Sequence, residues 1–289
     1  MTLGLKGKVC VVAGASSGIG RATAMGLGGL GASVVAVMHS QSLKAESAME
    51  KIEARSKEGA GSATAMYVDL SSQASIRQLA EDFDKRFDRL DVLVNNAGVN
   101  NSRKTMTADG FESTFAINVL APFLLTNLLL PKMKVSSPSR LVNVSSNAAR
   151  GSSIDFDNLQ GEKKFSMWTN YGQSKLALNM LTLEFARRLQ GTGVTANFLH
   201  PGVVRTNLVR DMNPAAQAMY SLIKLFFASP EKGARTSIHV ASAPELEGVS
   251  GKFFSNGKVE AAPKASYDEA TAGRLWRICE ELTGMRASI

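Results

Sequence analysis

The chain has 289 residues, of which 44% are hydrophobic, and no Pro/Ser-rich linker or low-complexity block divides it. Residues 1–289 are therefore predicted to form a single domain near the upper size limit for one core. The formal net charge is +8. Because the basic residues are scattered rather than gathered into a stripe interleaved with aromatic side chains, nucleic-acid binding is not expected.

The cysteines and the apolar segments predict a cellular compartment. Cys10 and Cys279 are the only cysteines, and their separation gives neither a metal site nor a disulfide framework. The N-terminal "MTLGLKGKV" lacks the apolar core of a signal peptide. The most apolar stretch, "VLAPFLLTNLLLP", is 13 residues long, is interrupted by Pro122 and Asn127, and is too short to span a bilayer. We therefore expect a cytoplasmic protein with no metal and no transmembrane segment.

Short apolar runs alternate with longer helical patterns along the chain. The runs lie at 9–13, 33–37, 64–68, 90–94, 140–144, 194–199 and 251–254. They are continuously apolar rather than alternating, which indicates strands covered on both faces. Their alternation with helices predicts an α/β fold, a doubly wound, Rossmann-like parallel sheet of about seven strands.

The helical patterns begin at Gly18, at about 43, after Ser71 and Ser72, and at about 111. A further helix should carry Tyr171.

Thr169 or Asn170 could cap that helix. Residues 205–229 are apolar and helical in pattern and follow a Pro-Gly pair, so they are predicted to form a substrate lid beyond a strand's carboxyl end. Residues 257–289 are left as a C-terminal extension.

The first strand leads into "VAGASSGIGRATA", which places Gly14, Gly18 and Gly20 at a strand-to-helix junction. Glycines there allow a tight turn and let main-chain N–H groups approach a diphosphate at a helix N-terminus. The "GLGGLG" at 26–31 matches G-x-G-x-x-G literally. It lies at the far end of the first helix and precedes the second strand, so it is rejected as a phosphate loop.

The end of the second strand favours one dinucleotide over another. An NAD site often has a carboxylate there for the ribose diol, but this sequence has Met38, His39 and Ser40. His39, Ser40, Arg21 and Lys44 could all donate hydrogen bonds to a 2′-phosphate. The pattern favours NADP, with NAD as the alternative; the competing interpretation of His39 is a surface histidine that binds nothing.

Five motifs carry a family resemblance: "GASSGIG", "NNAG" (95–98), "VNVSS" (142–146), "YGQSK" (171–175) and "HPGVVRT" (200–206). In this order and spacing, the chain from about 6 to 256 resembles the short-chain dehydrogenases/reductases. The 25-residue separation of Ser146 and Tyr171 resembles the retinol-dehydrogenase-like and carbonyl-reductase-like branches, and "FLLTNLLLP" and "HPGVVRTNL" resemble the retinol-dehydrogenase-like branch as well. That branch implies lipophilic alcohols and carbonyls as substrates, and NADP(H).

Tyr171 and Lys175 lie four positions apart, on one face of a helix. Taken alone, such a pair is typical of an ordinary helix surface. A free phenol has a pKa of about 10 and is a poor base at neutral pH. A nearby ammonium and a nicotinamide's positive charge would favour the phenolate, so Tyr171 is predicted to act as a general acid/base.

The resemblance implies the remaining catalytic roles. Ser146 would hydrogen-bond the substrate oxygen, with Ser145 as the runner-up, and Lys175 would hold the nicotinamide ribose. Asn118 would keep a water chain to the lysine, unless it is simply a helix-buried amide.

Residues and resemblance together give the cofactor-binding set: Gly14, Ser16, Ser17, Gly18, Ile19, Gly20, His39, Ser40, Asp69, Leu70, Asn95, Ala97, Gly98, Tyr171, Lys175, Pro201, Gly202, Val203 and Thr206. Ala13 stands where the family often has threonine, which calls one hydrogen bond of the glycine loop into question.

The sequence thus predicts an NAD(P)(H)-dependent oxidoreductase that interconverts a lipophilic alcohol and its ketone or aldehyde. The predicted lid supports the substrate class through its apolar side chains, which could instead pack internally or form an oligomer contact. Two alternatives are a dinucleotide-binding regulator without turnover and an epimerase or dehydratase on the same fold. A small lipophilic substrate and a homo-oligomer are the predicted partners.

Overall fold

The computed structural model describes residues 4–202, 209–210 and 228–286. Its strands are β1 (Val9–Ala13), β2 (Ser33–Met38), β3 (Ser62–Tyr67), β4 (Val92–Asn95), β5 (Asn100–Asn101), β6 (Ser139–Val144), β7 (Val194–His200), β8 (Val209–Arg210), β9 (Phe253–Ser255) and β10 (Lys258–Glu260). Its helices are α1 (Gly18–Gly29), α2 (Leu43–Glu58), α3 (Gln73–Arg86), α4 (Ser113–Phe115), α5 (Ala121–Val135), α6 (Met167–Arg188), α7 (Pro230–Ser242) and α8 (Glu269–Thr283).

Eight strands form the main sheet in the order β10-β9-β7-β6-β4-β1-β2-β3. All neighbours pair in parallel except β9 and β10, which are antiparallel. The predicted doubly wound parallel sheet is confirmed, and each of the seven apolar runs contributes a strand. The eighth strand, Lys258–Glu260, was not predicted because all three of its residues are exposed and give no apolar run.

The core lies on both faces of the sheet, as the continuous apolar strands predict. In β1, Val9, Val11 and Ala13 belong to the cluster formed with α3, α5, α6 and α8. The intervening Cys10 and Val12 belong to the cluster formed with α1, α2 and α7. Period-two alternation thus sends successive side chains to opposite layers, and both layers are buried.

The helix starts follow the predicted caps in one case and depart from them in another. Ser72 precedes α3, and its hydroxyl accepts a hydrogen bond from the Ser75 N–H at 3.3 Å. The prediction that Thr169 or Asn170 caps the Tyr171 helix is wrong, because α6 begins at Met167. Asn170 Oδ1 instead reaches back from inside the first turns and accepts from the Ser166 N–H at 2.9 Å.

Ser113–Val135 forms one continuous helical segment in which α4 passes through a π-helical turn (Ala116–Leu120) into α5. The predicted interruption is wrong: the helix continues through Pro122 directly after the π-helical turn, and the Asn127 amide donates to the Phe123 carbonyl. The segment therefore has the length and composition of a membrane span. However, 89% of its most apolar window is buried inside the fold, which is what a core helix shows.

The strand order places an open crevice above the middle of the sheet. Strand β1 has β2 on one side and β4 on the other, so consecutive crossovers leave it in opposite directions. Ligands of doubly wound sheets bind outside the carboxyl ends of the strands at such a switch point. Here those ends lead into the loops that begin at Gly14 and Asn96.

Most of the predicted lid at 205–229 lies outside the described residues. Within it, Val209–Arg210 forms β8 and pairs in parallel with Asn100–Asn101, so the helical prediction is wrong at these two positions. In the predicted C-terminal extension, α8 packs Trp276 edge-on against Phe123 and Phe185, with ring centroids 4.9 Å and 4.7 Å away. The division of residues 1–289 into one domain with a lid and an extension stays a prediction.

Candidate active site

The loop between β1 and α1 is built on glycine conformations and close backbone contacts. Gly14 and Gly18 have φ of +80° and +56°, the left-handed region that side chains disfavour. A Cβ on Gly20 would lie 2.2 Å from the Gly14 carbonyl oxygen. A Cβ on Gly14 would lie 2.9 Å from the Ala97 Cα. The three glycines therefore let the loop fold tightly against the chain that follows β4.

The N-terminus of α1 suits an anionic group. Ser17 is its N-cap, but its side chain makes no capping hydrogen bond, and the first turn contains no acidic residue. Ser16, Ser17 and Gly18 are half-buried, whereas Ile19 is buried beneath them. The unpartnered N–H groups and the positive end of the helix dipole are the usual acceptor of a dinucleotide diphosphate.

The edge at β2 and β3 differs from the sequence-based expectation in one respect. His39 and Ser40 are exposed there, as expected. The Asp69 carboxylate, however, lies 3.8 Å from His39 Nδ1, so this edge does contain an acid, supplied from after β3. Burial tends to raise the pKa of Asp69, but hydrogen bonds from Ser71 and the charge of His39 bring that pKa below its ordinary value.

A small apolar cavity is bordered by Leu70 after β3, by Asn95 at the end of β4 and by Ala97 after it. The Asn95 side chain, however, is bonded into the interior, where its amide donates to Thr126 Oγ1 at 3.1 Å and to Asn143 Oδ1 at 2.9 Å. The Asn95 side chain therefore links β4 to α5 and β6. Its amide group is turned away from the side on which a cofactor would bind.

Lys175 brings a buried ammonium to the carboxyl edge of the sheet. Its side chain is 3% exposed, and Nζ donates to the Val144 carbonyl at 3.0 Å. A Cβ on Gly98 would lie 3.3 Å from both Lys175 Nζ and Asn118 Oδ1, so glycine is what allows the lysine to approach the loop after β4. Burial lowers the pKa of Lys175 from 10.5 to about 8.

Tyr171 lies one helical turn before Lys175 and is 4% exposed. Lys175 Nζ is 5.9 Å from the centroid of the Tyr171 ring. The pair is therefore not the exposed surface pair that the i,i+4 spacing alone would favour. Both groups lie in the core side of the crevice, where an ammonium influences a phenol far more than in water.

The two serines after β6 separate by their partners. Ser145 is buried, and its hydroxyl donates to the Lys175 carbonyl at 3.4 Å. Ser146 is half-buried and is the N-cap of a 3₁₀ turn (Asn147–Ala149), where its hydroxyl accepts from the Ala148 N–H at 3.2 Å. Because the Ser146 hydroxyl serves as acceptor in that bond, its own proton can be donated to a ligand, which favours Ser146 over Ser145.

Asn118 lies in the π-helical turn and is fully buried. Its side chain accepts from the Val99 N–H at 2.9 Å and donates to the Val99 carbonyl at 2.9 Å and to Ser174 Oγ at 3.0 Å. These bonds join the loop after β4 to α6 beside Lys175. The predicted water chain from Asn118 to the lysine stays a prediction. The widened π turn is a feature that proteins often place at functional sites.

The nicotinamide-side loop is only partly described. Pro201 and Gly202 are half-buried at the end of β7, and Gly202 has φ of +84°. Val203 and Thr206 lie outside the described residues.

The glycine loop, the buried Tyr171–Lys175 pair and Ser146 thus meet around one crevice, and comparison with known proteins gives the family. The family model described as short chain dehydrogenase matches residues 8–217. The chain is a short-chain dehydrogenase/reductase.

Curated relatives place this dehydrogenase in the retinol-dehydrogenase-like branch, as the motifs predict. The chain is 44% identical to human retinol dehydrogenase 12, across 98% of this chain and 88% of the relative. It is 41% identical to human retinol dehydrogenase 14, across 97% of this chain and 88% of that protein. An oxidoreductase activity follows from this membership.

Solved structures show the same fold. A crystal structure of an uncharacterized protein from Mycobacterium Paratuberculosis superposes with a TM-score of 0.77 at 29% identity, covering 99% of this chain and 97% of that one. A short chain dehydrogenase from Burkholderia cenocepacia J2315, solved in complex with NADP, superposes with a TM-score of 0.67 at 26% identity, covering 86% and 96%.

Sequence reasoning did not assign Asn96 to the site of this dehydrogenase. The Asn96 amide reaches across the crevice toward the Ala13 and Gly14 carbonyls, at 3.3 Å and 3.4 Å. It thereby anchors the glycine loop from the β4 side, next to the position where Ala13 replaces the usual threonine. The second asparagine of "NNAG" was the available signal.

His200 was also not assigned, although it opens the "HPG" motif. It is 8% exposed, and its Nδ1 accepts a hydrogen bond from the Asn147 N–H at 3.3 Å. Burial and the charge of Arg150 lower the pKa of His200, while Glu260 opposes them. A neutral His200 therefore supports the 3₁₀ turn that presents Ser146.

Proposed function

We propose that this dehydrogenase is an NADP(H)-dependent enzyme that interconverts a lipophilic alcohol and its ketone or aldehyde, with Tyr171 as general acid/base. The observation that carries the proposal is the buried Lys175 ammonium. It lies 3.0 Å from the Val144 carbonyl and 5.9 Å from the Tyr171 ring centroid, at the carboxyl edge of β6. A lysine buried so near a phenol fits proton transfer better than a structural role, since the buried charge is costly.

The chain's own residues would divide the reaction between binding and proton transfer. The nicotinamide supplies or accepts the hydride when it is bound. Ser146 donates a hydrogen bond to the substrate oxygen and orients it. Tyr171 gives its phenolic proton to that oxygen during reduction and takes it back during oxidation. The positive charge of Lys175 favours the phenolate, which keeps proton transfer feasible near neutral pH.

The residues fit a dinucleotide with a 2′-phosphate. The α1 N-terminus offers N–H groups without a competing side-chain cap, and the adjoining edge exposes His39 and Ser40. The Ser71 hydrogen bonds keep Asp69 charged, and this charge opposes a nearby phosphate, so the preference for NADP rests on the other groups of this edge. The Burkholderia structure contains NADP on the same fold. These features support NADP as the preferred cofactor.

Binding measurements test the cofactor preference. Isothermal titration should give a lower Kd for NADP than for NAD. Changing His39→Ala together with Ser40→Ala should weaken NADP by roughly tenfold, the loss expected for one or two hydrogen bonds to a charged group, and leave NAD nearly unchanged. Equal losses for both dinucleotides would remove His39 and Ser40 from the proposed 2′-phosphate site.

The apolar composition of residues 205–229 supports a lipophilic substrate. Most of this segment lies outside the described residues. The curated relatives are named for retinol, a long apolar alcohol. Hydrophobic pockets with few polar groups select such molecules. A panel of aldehydes and ketones of rising chain length should show kcat/KM that increases with length. Turnover confined to small polar sugars would overturn this substrate class.

Removing one hydroxyl tests the catalytic role. Tyr171→Phe should lower turnover by roughly 100- to 10,000-fold, the usual contribution of a general acid/base, as followed by NADPH absorbance. NADPH affinity should stay within about twofold, because Tyr171→Phe keeps the ring and removes only the hydroxyl that transfers the proton.

The matched control is Tyr267→Phe. This removes another phenolic hydroxyl. Tyr267 is an exposed residue at the end of a 3₁₀ turn (Lys264–Tyr267), and its hydroxyl accepts from the Ala262 N–H. It should retain turnover. Full activity in Tyr171→Phe would end the assignment, and absence of turnover in the unaltered protein across the whole panel would favour the dinucleotide-binding regulator.

A further inference from the structure

The insert, residues 147–166, joins two groups of the proposed active site. It leaves directly after Ser146 and returns at Ser166, five residues before Tyr171. A substrate oxygen that contacts both Ser146 and Tyr171 must therefore sit where the two ends of the insert converge. Whatever fixes the insert also fixes the wall of that space.

One side chain on the active-site helix binds the insert at three points. Gln173 lies between Tyr171 and Lys175 in sequence and is 5% exposed. Its Oε1 accepts from the Asp155 N–H at 2.7 Å. Its Nε2 donates to the Asn158 and Leu159 carbonyls, each at 3.2 Å. The two ends of a single buried amide thus bind three main-chain groups of the insert, of which the Leu159 carbonyl is in a buried contact.

Residues beside Gln173 contact the same segment. The Asn170 side chain accepts from the Ser166 N–H at 2.9 Å, where the insert enters the helix. Gly172 lies so close that an added Cβ would be 2.4 Å from Ser152 Oγ and 2.8 Å from the Ala148 carbonyl oxygen. The first turns of α6 are therefore shaped to hold the insert as well as to present Tyr171.

The opposite side of the insert is held by the chain that precedes α4. Gln160 Oε1 accepts from the Glu112 N–H at 3.0 Å, and Lys104 Nζ donates to the Gly161 carbonyl at 2.9 Å. Leu159 is 7% exposed and belongs to the main core cluster. The insert is thus a braced bridge between α6 and the β5–α4 connection, with Gln173 as its attachment to the helix of Tyr171.

We propose that Gln173 is a positioning residue that holds the insert as a wall of the substrate pocket and so determines how large a substrate fits. The inference rests on the proposed function, because it takes the space between Ser146 and Tyr171 as the reacting site. Glutamine is suited to this position because it offers a donor and an acceptor at one reach. Methionine of similar length offers no donor, and glutamate would set a carboxylate against two carbonyl oxygens.

Two variants and one control test the proposal by steady-state kinetics with NADPH. The variants are Gln173→Met and Gln173→Glu; the control is Gln190→Met, the same change at an exposed residue beyond the end of α6. The substrates are a long apolar aldehyde and a short one. Both variants lose at least one net hydrogen bond between Gln173 and the insert, so the wall of the pocket is held less firmly. The kcat/KM for the long aldehyde should therefore fall by at least about tenfold, chiefly through KM. For the short aldehyde, kcat should change by less than about twofold, since the groups that touch it remain.

The pattern of amide hydrogen exchange distinguishes local release of the insert from a general loss of stability. In Gln173→Met the Asp155 amide loses its acceptor, so exchange should accelerate at residues 153–160 while β6 and the rest of α6 keep their protection. Gln173→Glu keeps an acceptor for the Asp155 N–H, so that amide should stay protected although kcat/KM for the long aldehyde still falls. Uniform acceleration across α6 in both variants would reduce Gln173 to a packing role.

The outcomes separate this inference from the function beneath it. Equal effects on long and short aldehydes, or none on either, would overturn the role of Gln173 while leaving the enzyme assignment intact. Activity in Tyr171→Phe would instead overturn the proposed function. If Gln173→Met does not fold, Gln173→Glu carries the same comparison, and an unchanged KM for the long aldehyde in that variant overturns the inference.

Discussion

Lys175 Nζ lies 5.9 Å from the ring centroid of Tyr171, one turn further along the same helix, and both side chains are buried. In the free protein the ammonium has one described hydrogen bond, to the Val144 carbonyl. Burial lowers the pKa of Lys175 to about 8, so the charged form is held against a solvation cost. A group useful for proton transfer is therefore expected to destabilise the fold that carries it.

Lys175→Met should separate stability from activity. A pKa lowered from 10.5 to about 8 corresponds to about 3 kcal/mol of lost stability at neutral pH. Losing the hydrogen bond to the Val144 carbonyl costs roughly 1 kcal/mol, so the variant should be about 2 kcal/mol more stable than the unaltered protein at pH 7 by urea unfolding. Its turnover should fall to background, because the phenolate loses its nearby cation.

The pH dependence of this difference provides the check. Between pH 8 and 10.5 the unfolded chain keeps a proton on Lys175 that the folded chain has released, so the unaltered protein gains stability as pH rises. The advantage of Lys175→Met should therefore be full below about pH 8 and shrink toward pH 10.5. A difference that does not change with pH would show that Lys175 is not strained by burial.

His200 should make the protein sensitive to acid. Burial and Arg150 lower its pKa, so the folded state favours the neutral ring that accepts from the Asn147 N–H. Below about pH 6.5, the ordinary pKa of histidine, the unfolded chain binds a proton that the folded chain resists, and stability falls.

His200→Asn keeps an acceptor and cannot titrate, so its free energy of unfolding should decline less between pH 7 and 5. Parallel acid profiles for the protein and His200→Asn would contradict the prediction.

Gly20→Ala should damage the dinucleotide site through the backbone. The new Cβ would lie 2.2 Å from the Gly14 carbonyl oxygen and 2.4 Å from Asn96 Nδ2, and the carbonyl cannot move without opening the loop. We expect a destabilisation of about 1–3 kcal/mol by urea unfolding and a rise of more than about tenfold in the NADPH Kd.

The matched change is Gly273→Ala in α8, where, among the residues that the structure describes, no atom outside the adjoining turns of the helix lies within 4 Å of the added methyl. It should stabilise the protein by about 0.5–1 kcal/mol and leave the Kd unchanged. An unaltered Kd in Gly20→Ala would show that the loop does not hold the dinucleotide.

The fold could be predicted from the sequence because its strands are buried on both faces. Every residue of Val9–Ala13 and Val194–His200 is buried, and most of these residues are apolar, so the strand positions follow largely from hydrophobicity. Lys258–Glu260 escaped because an exposed edge strand has no such signal. The helix through Pro122 was not predicted, because the π-helical turn that precedes the proline leaves no signal in the sequence.

The sequence predicts the site where the chemistry requires a particular residue type. It does not predict the site where the function depends on the direction in which a side chain points. The glycines after the first strand can be recognised in the sequence, and together with the other motifs they mark the Tyr171–Lys175 pair as part of the site. That Asn95 turns inward to Thr126 while Asn96 reaches the glycine loop depends on which way each side chain leaves the end of β4. Neighbouring positions in a strand point to opposite faces, so a paired "NN" motif cannot say which amide serves the site.

Gly172→Ala should displace the insert from the helix of Tyr171. The added methyl would lie 2.4 Å from Ser152 Oγ, which can rotate, and 2.8 Å from the Ala148 carbonyl oxygen, which belongs to the turn capped by Ser146. Overpacking of this kind costs about 1–3 kcal/mol. Because Ala148 follows Ser146 by two residues, kcat/KM should fall for long and short aldehydes alike, unlike the selective loss expected for Gln173.

A double-mutant cycle with Ser152 separates the two contacts of Gly172. Ser152→Ala alone should cost about 1 kcal/mol or less, since it loses one bond to the Ala148 carbonyl at 2.9 Å. In Gly172→Ala/Ser152→Ala the hydroxyl collision is gone but the carbonyl contact stays, so part of the stability should return, with a coupling of roughly 0.5–2 kcal/mol. Additive losses would mean that the methyl does not meet Ser152, and the insert would then lie further from α6 than the structure places it.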